Sequence, residues 1–124
     1  MIYGYCRVST RGQLENNSLD QQESEILQRY SDAMIIREQF TGAKMDRPQF
    51  NNLLIDLSDG DTLVVTKLDR LARNTVEGIQ IVESLFDKGV SVHVLNVGLL
   101  ENTSMGKFFL TTLLAVAEME RNNI

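Results

Sequence analysis

The chain has 124 residues, 43% of them hydrophobic and 23% charged, which fits one domain and excludes a disordered or low-complexity polypeptide. A single cysteine, Cys6, excludes a disulfide framework or multi-cysteine zinc site, and a single histidine, His93, excludes a His-rich metal centre. The net charge of −5 argues against a generally basic nucleic-acid binder, and without an apolar run near the N-terminus to suggest a signal peptide the expected setting is a reducing cytoplasm.

The run from Ile2 to Val8, rich in Ile, Tyr and Val, predicts a first strand. Ser18-Leu19-Asp20-Gln21 opens a helix, with Ser18 placed to cap free amides and Gln21 to reach back. Leu19, Glu23, Ile26, Leu27 and Tyr30 then follow near-helical spacing, so the core stripe is narrow. Met34-Ile35-Ile36 predicts a short second strand. Asp46 or Arg47 before Pro48 marks the next helix start, since proline suits a first helical turn. Phe50, Leu53, Leu54 and Leu57 give that helix an amphipathic face. Ser58-Asp59-Gly60-Asp61 turns the chain into a third strand, Thr62 to Thr66. A helix capped by Thr75 runs to Lys88 and stops at Gly89, and Val90 to Val97 predicts a fourth strand.

A last helix starts near Ser104. Nine of the twelve residues from Phe108 to Met119 are apolar, too few to cross a bilayer but enough to demand cover on more than one side. A self-complementary dimer seam is the expected cover, and a central core helix is the other reading. The helix runs into Glu118-Met119-Glu120-Arg121 with neither Gly nor Pro to stop it, which predicts more chain after Ile124.

Strand–helix alternation at this spacing predicts an α/β fold: a mostly parallel central sheet with helices on both faces. Such sheets bind ligands at the carboxyl ends of their strands. Two basic stretches fall at such ends. Residues 1–14 hold Arg7 and Arg11 and no acid; Lys67-Leu68-Asp69-Arg70-Leu71-Ala72-Arg73 holds three bases and one acid. The rest of the chain is therefore more acidic than the total suggests, and local fields matter more than totals for a phosphate ligand. Solvation of a helix start is the plainer reading of Lys67, Arg70 and Arg73.

Arg7 and Ser9, two apart in a strand, would project together, and Arg70 and Arg73, three apart, would share a helical face. A guanidinium beside a hydroxyl suits a phosphate ester: the arginine binds oxygens and the serine attacks. Three arginines around one phosphate could stabilise a pentavalent transition state without a metal. Taken singly, Ser9 could equally be a turn or cap residue. No glycine pattern forms a Walker or dinucleotide loop, Cys6 reads as a small buried hydrophobe, and His93 reads as a satisfied strand histidine.

Five spaced blocks carry a family resemblance. Tyr3-Gly4-Tyr5-Cys6-Arg7-Val8-Ser9-Thr10 with Gln13, then Ser18-Leu19-Asp20-Gln21-Gln22, resemble the N-terminal blocks of the serine recombinase (resolvase/invertase) catalytic domain. Gly42-Ala43-Lys44-Met45-Asp46-Arg47-Pro48 and Lys67-Leu68-Asp69-Arg70-Leu71-Ala72-Arg73 resemble the next two. Ser104-Met105-Gly106-Lys107 and Ala117-Glu118-Met119-Glu120-Arg121 resemble the long interface helix. The spacer after Ser9, with Ala43-Lys44, is similar to large serine integrases and transposon-encoded members.

The resemblance implies a division into a catalytic α/β core over 1–103 and the start of an oligomerisation helix over 104–124, with the DNA-binding region absent. It implies that Ser9 attacks a DNA phosphodiester to form a 5′-phosphoserine, that Arg7, Arg70 and Arg73 hold the scissile phosphate, and that Asp69 orients them and assists proton transfer to the leaving oxygen. Gln13, Gln22, Arg47 and Arg121, with Lys67 of the basic run, would be supporting or phosphate-binding positions. Similar proteins use no metal, no cofactor and no ATP, act on double-stranded DNA as homodimers that pair into a synaptic tetramer, and belong to bacteria, phages and mobile elements. Two other readings compete: a non-catalytic dimerisation or regulatory module with this fold, against which the intact Ser9, Arg7, Arg70, Arg73 and Asp69 set speaks, and a small flavodoxin-like signalling domain, which would need a phospho-acceptor Asp with paired acids at a strand end.

Overall fold

Runs of β-branched and aromatic residues become strands here because each lies next to another strand and under a helix. The computed structural model describes residues 1–9, 18–40, 47–67, 70–72, 75–96 and 98–100, and single positions 103, 106, 108, 110–112, 115 and 119 of the C-terminal segment. The elements are β1 (Ile2–Ser9), α1 (Leu19–Arg29), β2 (Met34–Phe40), α2 (Pro48–Asp56), β3 (Thr62–Val65), α3 (Thr75–Asp87), β4 (Ser91–Val94) and β5 (Gly98–Leu100). They form one sheet in the order β2-β1-β3-β4-β5. β1 pairs in parallel with β2 and β3, and β3 with β4. The mostly parallel α/β sheet expected from the alternation is the observed one.

Two expectations change. The fourth strand does not run from Val90 to Val97: β4 ends at Val94, residues 95 and 96 turn, and β5 returns antiparallel, pairing Val92 with Leu100 and Val94 with Gly98. Gly98 adopts φ +140, which side-chain-bearing residues rarely reach, so the apolar run that looked continuous folds back on itself. The second strand does not stop at Ile36 but continues to Phe40, because β1 offers a partner at every step from Tyr3↔Met34 to Ser9↔Phe40. Sheet pairing thus overrides the polar run Arg37-Glu38-Gln39.

The sheet separates two apolar layers. On one face Tyr5, Leu63, Val65, Val92 and Val94 pack with Phe50, Leu53 and Leu57 of α2 and its end and with Ile79, Val82, Leu85 and Phe86 of α3. On the other, Cys6 and Val64 meet Ile26 of α1. Helices therefore cover both faces, each buried large side chain contributing about 1.5–3 kcal/mol. α1 comes close over β1 because residue 4 is glycine: a Cβ there would lie 2.8 Å from Ile26 Cγ2 and 2.8 Å from Ile35 Cδ1.

Helix ends follow local chemistry. Ser18 Oγ accepts from the Gln21 amide at 3.1 Å and starts α1. α3 closes with the Gly89 amide donating to the Phe86 carbonyl, the Val90 amide donating to the Leu85 carbonyl, and Gly89 in the left-handed region at φ +81. In the C-terminal segment residues 106, 108, 110–112, 115 and 119 are helical, and Thr103 Oγ1 accepts from the Gly106 amide as an N-cap would. Leu110 is buried in the main core, whereas Phe108 and Met119 are 68% and 63% exposed. Among the described residues no helix is long and apolar enough to cross a membrane.

Candidate active site

The strand order places a topological switch between β1 and β3: the chain leaves β1 towards β2 on one side and the rest of the sheet on the other. Crevices at such points hold ligands in open α/β sheets. The β1–β3 register runs from Ile2↔Thr62 to Gly4↔Val64. Beyond it the main chain of Arg7 is bonded by a side chain. Gln22 Oε1 accepts from the Arg7 amide and Gln22 Nε2 donates to the Arg7 carbonyl, both at 3.1 Å. Gln22 is 2% exposed, so its carboxamide acts as a one-residue strand holding Arg7 from the α1 side. Helical spacing puts Gln22 between Leu19 and Ile26 on the inward face, which marks it as a buried polar group that needs partners.

After β3 the chain turns sharply, the Arg70 amide donating to the Lys67 carbonyl, while Leu71 and Ala72 plug into the main core at 0% and 1% exposure. Anchored this way, half-buried Arg70 reaches back, and its Nη1 donates to the Arg7 carbonyl at 3.3 Å. Nη1 of Arg7 and Nε of Arg70 both lie beneath the accessible surface. The Arg70 guanidinium, from the turn after β3, is thus fixed on the main chain of β1 two residues before Ser9. Lys67 is exposed at the same end.

Arg47, the residue before α2, braces this turn. Its Nη1 donates to the Leu71 carbonyl, its Nη2 pairs with Glu77 Oε1 of α3 at 3.3 Å, and its guanidinium carbon lies 4.5 Å from the centre of the Phe50 ring. Sequence reasoning missed the group on the other side of α2. Glu38 is 4% exposed, and its carboxylate accepts from the Tyr5 hydroxyl at 2.5 Å and from the amides of Gln49 and Phe50 at 2.9 and 3.1 Å. The signal was the two-residue period: Glu38 follows Ile36 on the core-facing side of a strand longer than its apolar run suggests.

Electrostatics follow burial. Desolvation, then the hydrogen bond and charge of Glu38, hold the Tyr5 hydroxyl far above the ordinary phenol range, with Arg47 and Arg7 acting in the opposite sense. Burial, then Glu23, pushes the Cys6 thiol up to about 12, in keeping with an inert apolar residue. His93 is buried and satisfied: its Nδ1 lies 2.7 Å from the Tyr30 hydroxyl, and burial followed by the charge of Arg29 lowers its pKa. Among the described residues no group of three or more His, Cys, Asp or Glu side chains could hold a metal ion.

Of the residues singled out in the sequence, Arg7, Gln22, Arg47 and Arg70 are brought into one connected network, with Lys67 at its rim. Of Ser9 only the backbone is described, ending β1 opposite Phe40. Gln13, Asp69, Arg73 and Arg121 lie outside the described residues.

A model of the resolvase N-terminal domain matches residues 2–124. The chain belongs to the resolvase family. It is 38% identical over 124 residues to the transposon Tn917 resolvase of Enterococcus faecalis, covering all of this chain and 65% of that protein. It is 41% identical over 124 residues to the serine recombinase PinR of Escherichia coli K12, covering 98% of this chain and 63% of the relative. The chain thus spans a little under two thirds of these relatives' length. The N-terminal catalytic domain of TP901-1 integrase superposes with a TM-score of 0.68 at 29% identity, over 98% of this chain and 96% of that one.

Proposed function

We propose that this chain is the catalytic domain of a site-specific serine recombinase acting on double-stranded DNA in a bacterial, phage or mobile-element setting, in the cytoplasm. Ser9 Oγ attacks a backbone phosphorus, a 5′-phosphoserine forms, and the 3′ oxygen leaves, taking up a proton. Arg7, Arg70 and Arg73 carry the added negative charge of the pentavalent transition state, and Asp69 orients them and assists that proton transfer. Gln22 and Arg47 support the arginines through backbone bonds, while Lys67, Gln13 and Arg121 act as further supporting or phosphate-binding groups. The phosphoserine conserves the ester bond energy, so religation needs neither metal nor ATP. The observation that supports this reading is the hydrogen bond from Arg70 Nη1 to the Arg7 carbonyl, which ties the turn after β3 to the end of β1, two residues before Ser9. Charge-matched donors fixed before reaction are what a phosphoryl-type transition state requires.

In the same reading residues 1–103 do the chemistry and residues 104–124 form the interface of a homodimer and then a synaptic tetramer. The exposure of Phe108 and Met119 beside a buried Leu110 supports it, since one side of the helix is covered and another is not. The test uses the chain within its parent protein, or joined to a sequence-specific DNA-binding module, incubated with nicked suicide DNA bearing the matching site. A covalent protein–DNA species that disappears in Ser9→Ala is expected. Absence of any adduct while the protein occupies its site would overturn the reading.

A further inference from the structure

We propose that Tyr30 and His93 are a positioning pair for Arg7: their hydrogen bond seats the far end of α1, and α1 thereby holds Gln22 against the Arg7 main chain. The role rests on the recombinase reading above, in which Arg7 carries transition-state charge. Gln22, Ile26 and Tyr30 recur every four residues along α1 and its C-cap, so they share one face. Each meets a different part of the sheet. Gln22 bonds the amide and carbonyl of Arg7 on β1 at 3.1 Å, and Ile26 lies over Gly4. Tyr30 reaches across β3 to β4, its hydroxyl 2.7 Å from His93 Nδ1 and the two rings edge to face.

The middle contact is apolar and non-directional, so it lets the helix rock. Hydrogen bonds at the ends fix the tilt. Near the N-terminal end Asp20 also pairs with Arg37 of β2 at 2.5 Å, but Asp20 is 88% exposed, and an ion pair in water contributes little. His93 is buried, which makes its bond to Tyr30 the stronger guide. With Ile26 midway, a displacement at Tyr30 returns at Gln22 with equal size and opposite sense. The Gln22 bonds are already 3.1 Å long. A shift of a few tenths of an ångström takes such bonds past the ordinary limit of about 3.2 Å.

The same bond gives the pair a pH response. The Tyr30 hydroxyl and the Arg29 guanidinium approach the ring from the end of α1, while β3 and β5 set Val64 and the Leu99 backbone in register beside His93. None of these groups is an acid, so a proton on His93 places a buried cation next to Arg29. Lifting the Tyr30 end of α1 lets water reach the ring and relieves that cost.

Exchange of the Arg7 amide reads the device directly, since that amide donates to Gln22. In the protein of the adduct assay at pH 7.5, Tyr30→Phe removes one oxygen and keeps the ring. It should speed exchange of the Arg7 amide at least about threefold, the scale of one lost hydrogen bond. Adduct formation in single turnover at saturating DNA should fall by at least about the same factor, with DNA affinity within about twofold. His93→Asn keeps an acceptor near Nδ1 and should match wild type in both. Ile79→Val, a small loss from the apolar layer on the opposite face, is the control for general loosening and should also match. A smaller effect in Tyr30→Phe, or an equal one in His93→Asn or Ile79→Val, overturns the proposal.

If the wild type forms no adduct, the recombinase reading fails by itself and the pair is judged on exchange alone. Should Tyr30→Phe not fold, the wild type decides. Between pH 7.5 and 5.5 the protection of the Arg7 amide, corrected for intrinsic exchange and for the protection of α3, should fall with the midpoint of the His93 ring's own NMR titration. Protection that does not follow that midpoint sinks the idea.

Discussion

A guanidinium nitrogen below the surface is costly unless its charge has work to do, and both Arg7 and Arg70 bury one. Arg70 is held by a buried turn and bonds the Arg7 carbonyl, so its position is set before any ligand arrives. Removing one such preorganised donor typically costs on the order of a hundredfold or more in rate. Arg70→Ala and Arg73→Ala should each cut adduct formation by at least about a hundredfold in the suicide-DNA assay; near-wild-type cleavage in both would remove the phosphate clamp. His93 makes a prediction of a different kind. Burial and Arg29 place its pKa below the ordinary 6.5. Between its folded pKa and 6.5 the unfolded chain binds the proton and the folded chain does not, so stability is full above about pH 6.5 and falls as the pH drops below it. Asp61, whose carboxyl is held below 3.8 by the Ser58 amide, loses its contribution only in stronger acid and leaves that window clear. Melting temperature measured from pH 7.5 to 5 should therefore fall on acidification, and less steeply in His93→Asn, which keeps an acceptor towards Tyr30.

The elements explain why these residues meet. α1 can lie close on β1 only because position 4 lacks a side chain, and that closeness lets Gln22 reach the main chain of Arg7. Gly4→Ala would force a methyl against Ile26 and Ile35, an overpacking typically worth about 1–3 kcal/mol. Urea unfolding should show a lower midpoint at unchanged slope; an unchanged midpoint would mean that α1 lifts freely. Much of this level was legible in the sequence. The Ser18 cap, the Pro48 start and the Gly89 stop each act within a few residues, so local chemistry announces them. The length of β2 and the return of β5 were not legible, because a strand extends as far as its partner lets it and the partner is distant in sequence.

At the scale of the molecule, the acidic total conceals a local group of cations. Arg70 bonds the main chain of Arg7 at one end of the sheet, by the switch between β1 and β3, and Lys67 is exposed at the same end, so a chain of net negative charge can still present cations locally. The C-terminal helix is the proposed seat of assembly. Leu110 is in the core, but Phe108 and Met119 face outwards, and a large exposed apolar residue on a helix suits a second copy of the chain. Sedimentation at rising concentration should show self-association, weakened by Phe108→Glu without loss of melting temperature. A strict monomer at high concentration would count against the seam.

The sequence alone determined the alternation of strands and helices, the parallel sheet, the family, and the placing of Arg7 and Arg70 at strand ends, because these depend on periodicity, local caps and short motifs. It marked Gln22 and Arg47 as important without showing how they act. Only the tertiary structure decided that Gln22 serves as a strand for Arg7, that Arg47 braces the turn behind Arg70, and that Glu38 binds β1 to α2. Those are contacts between segments 11 to 63 residues apart, and their hydrogen bonds form only once the sheet order has fixed which ends lie side by side.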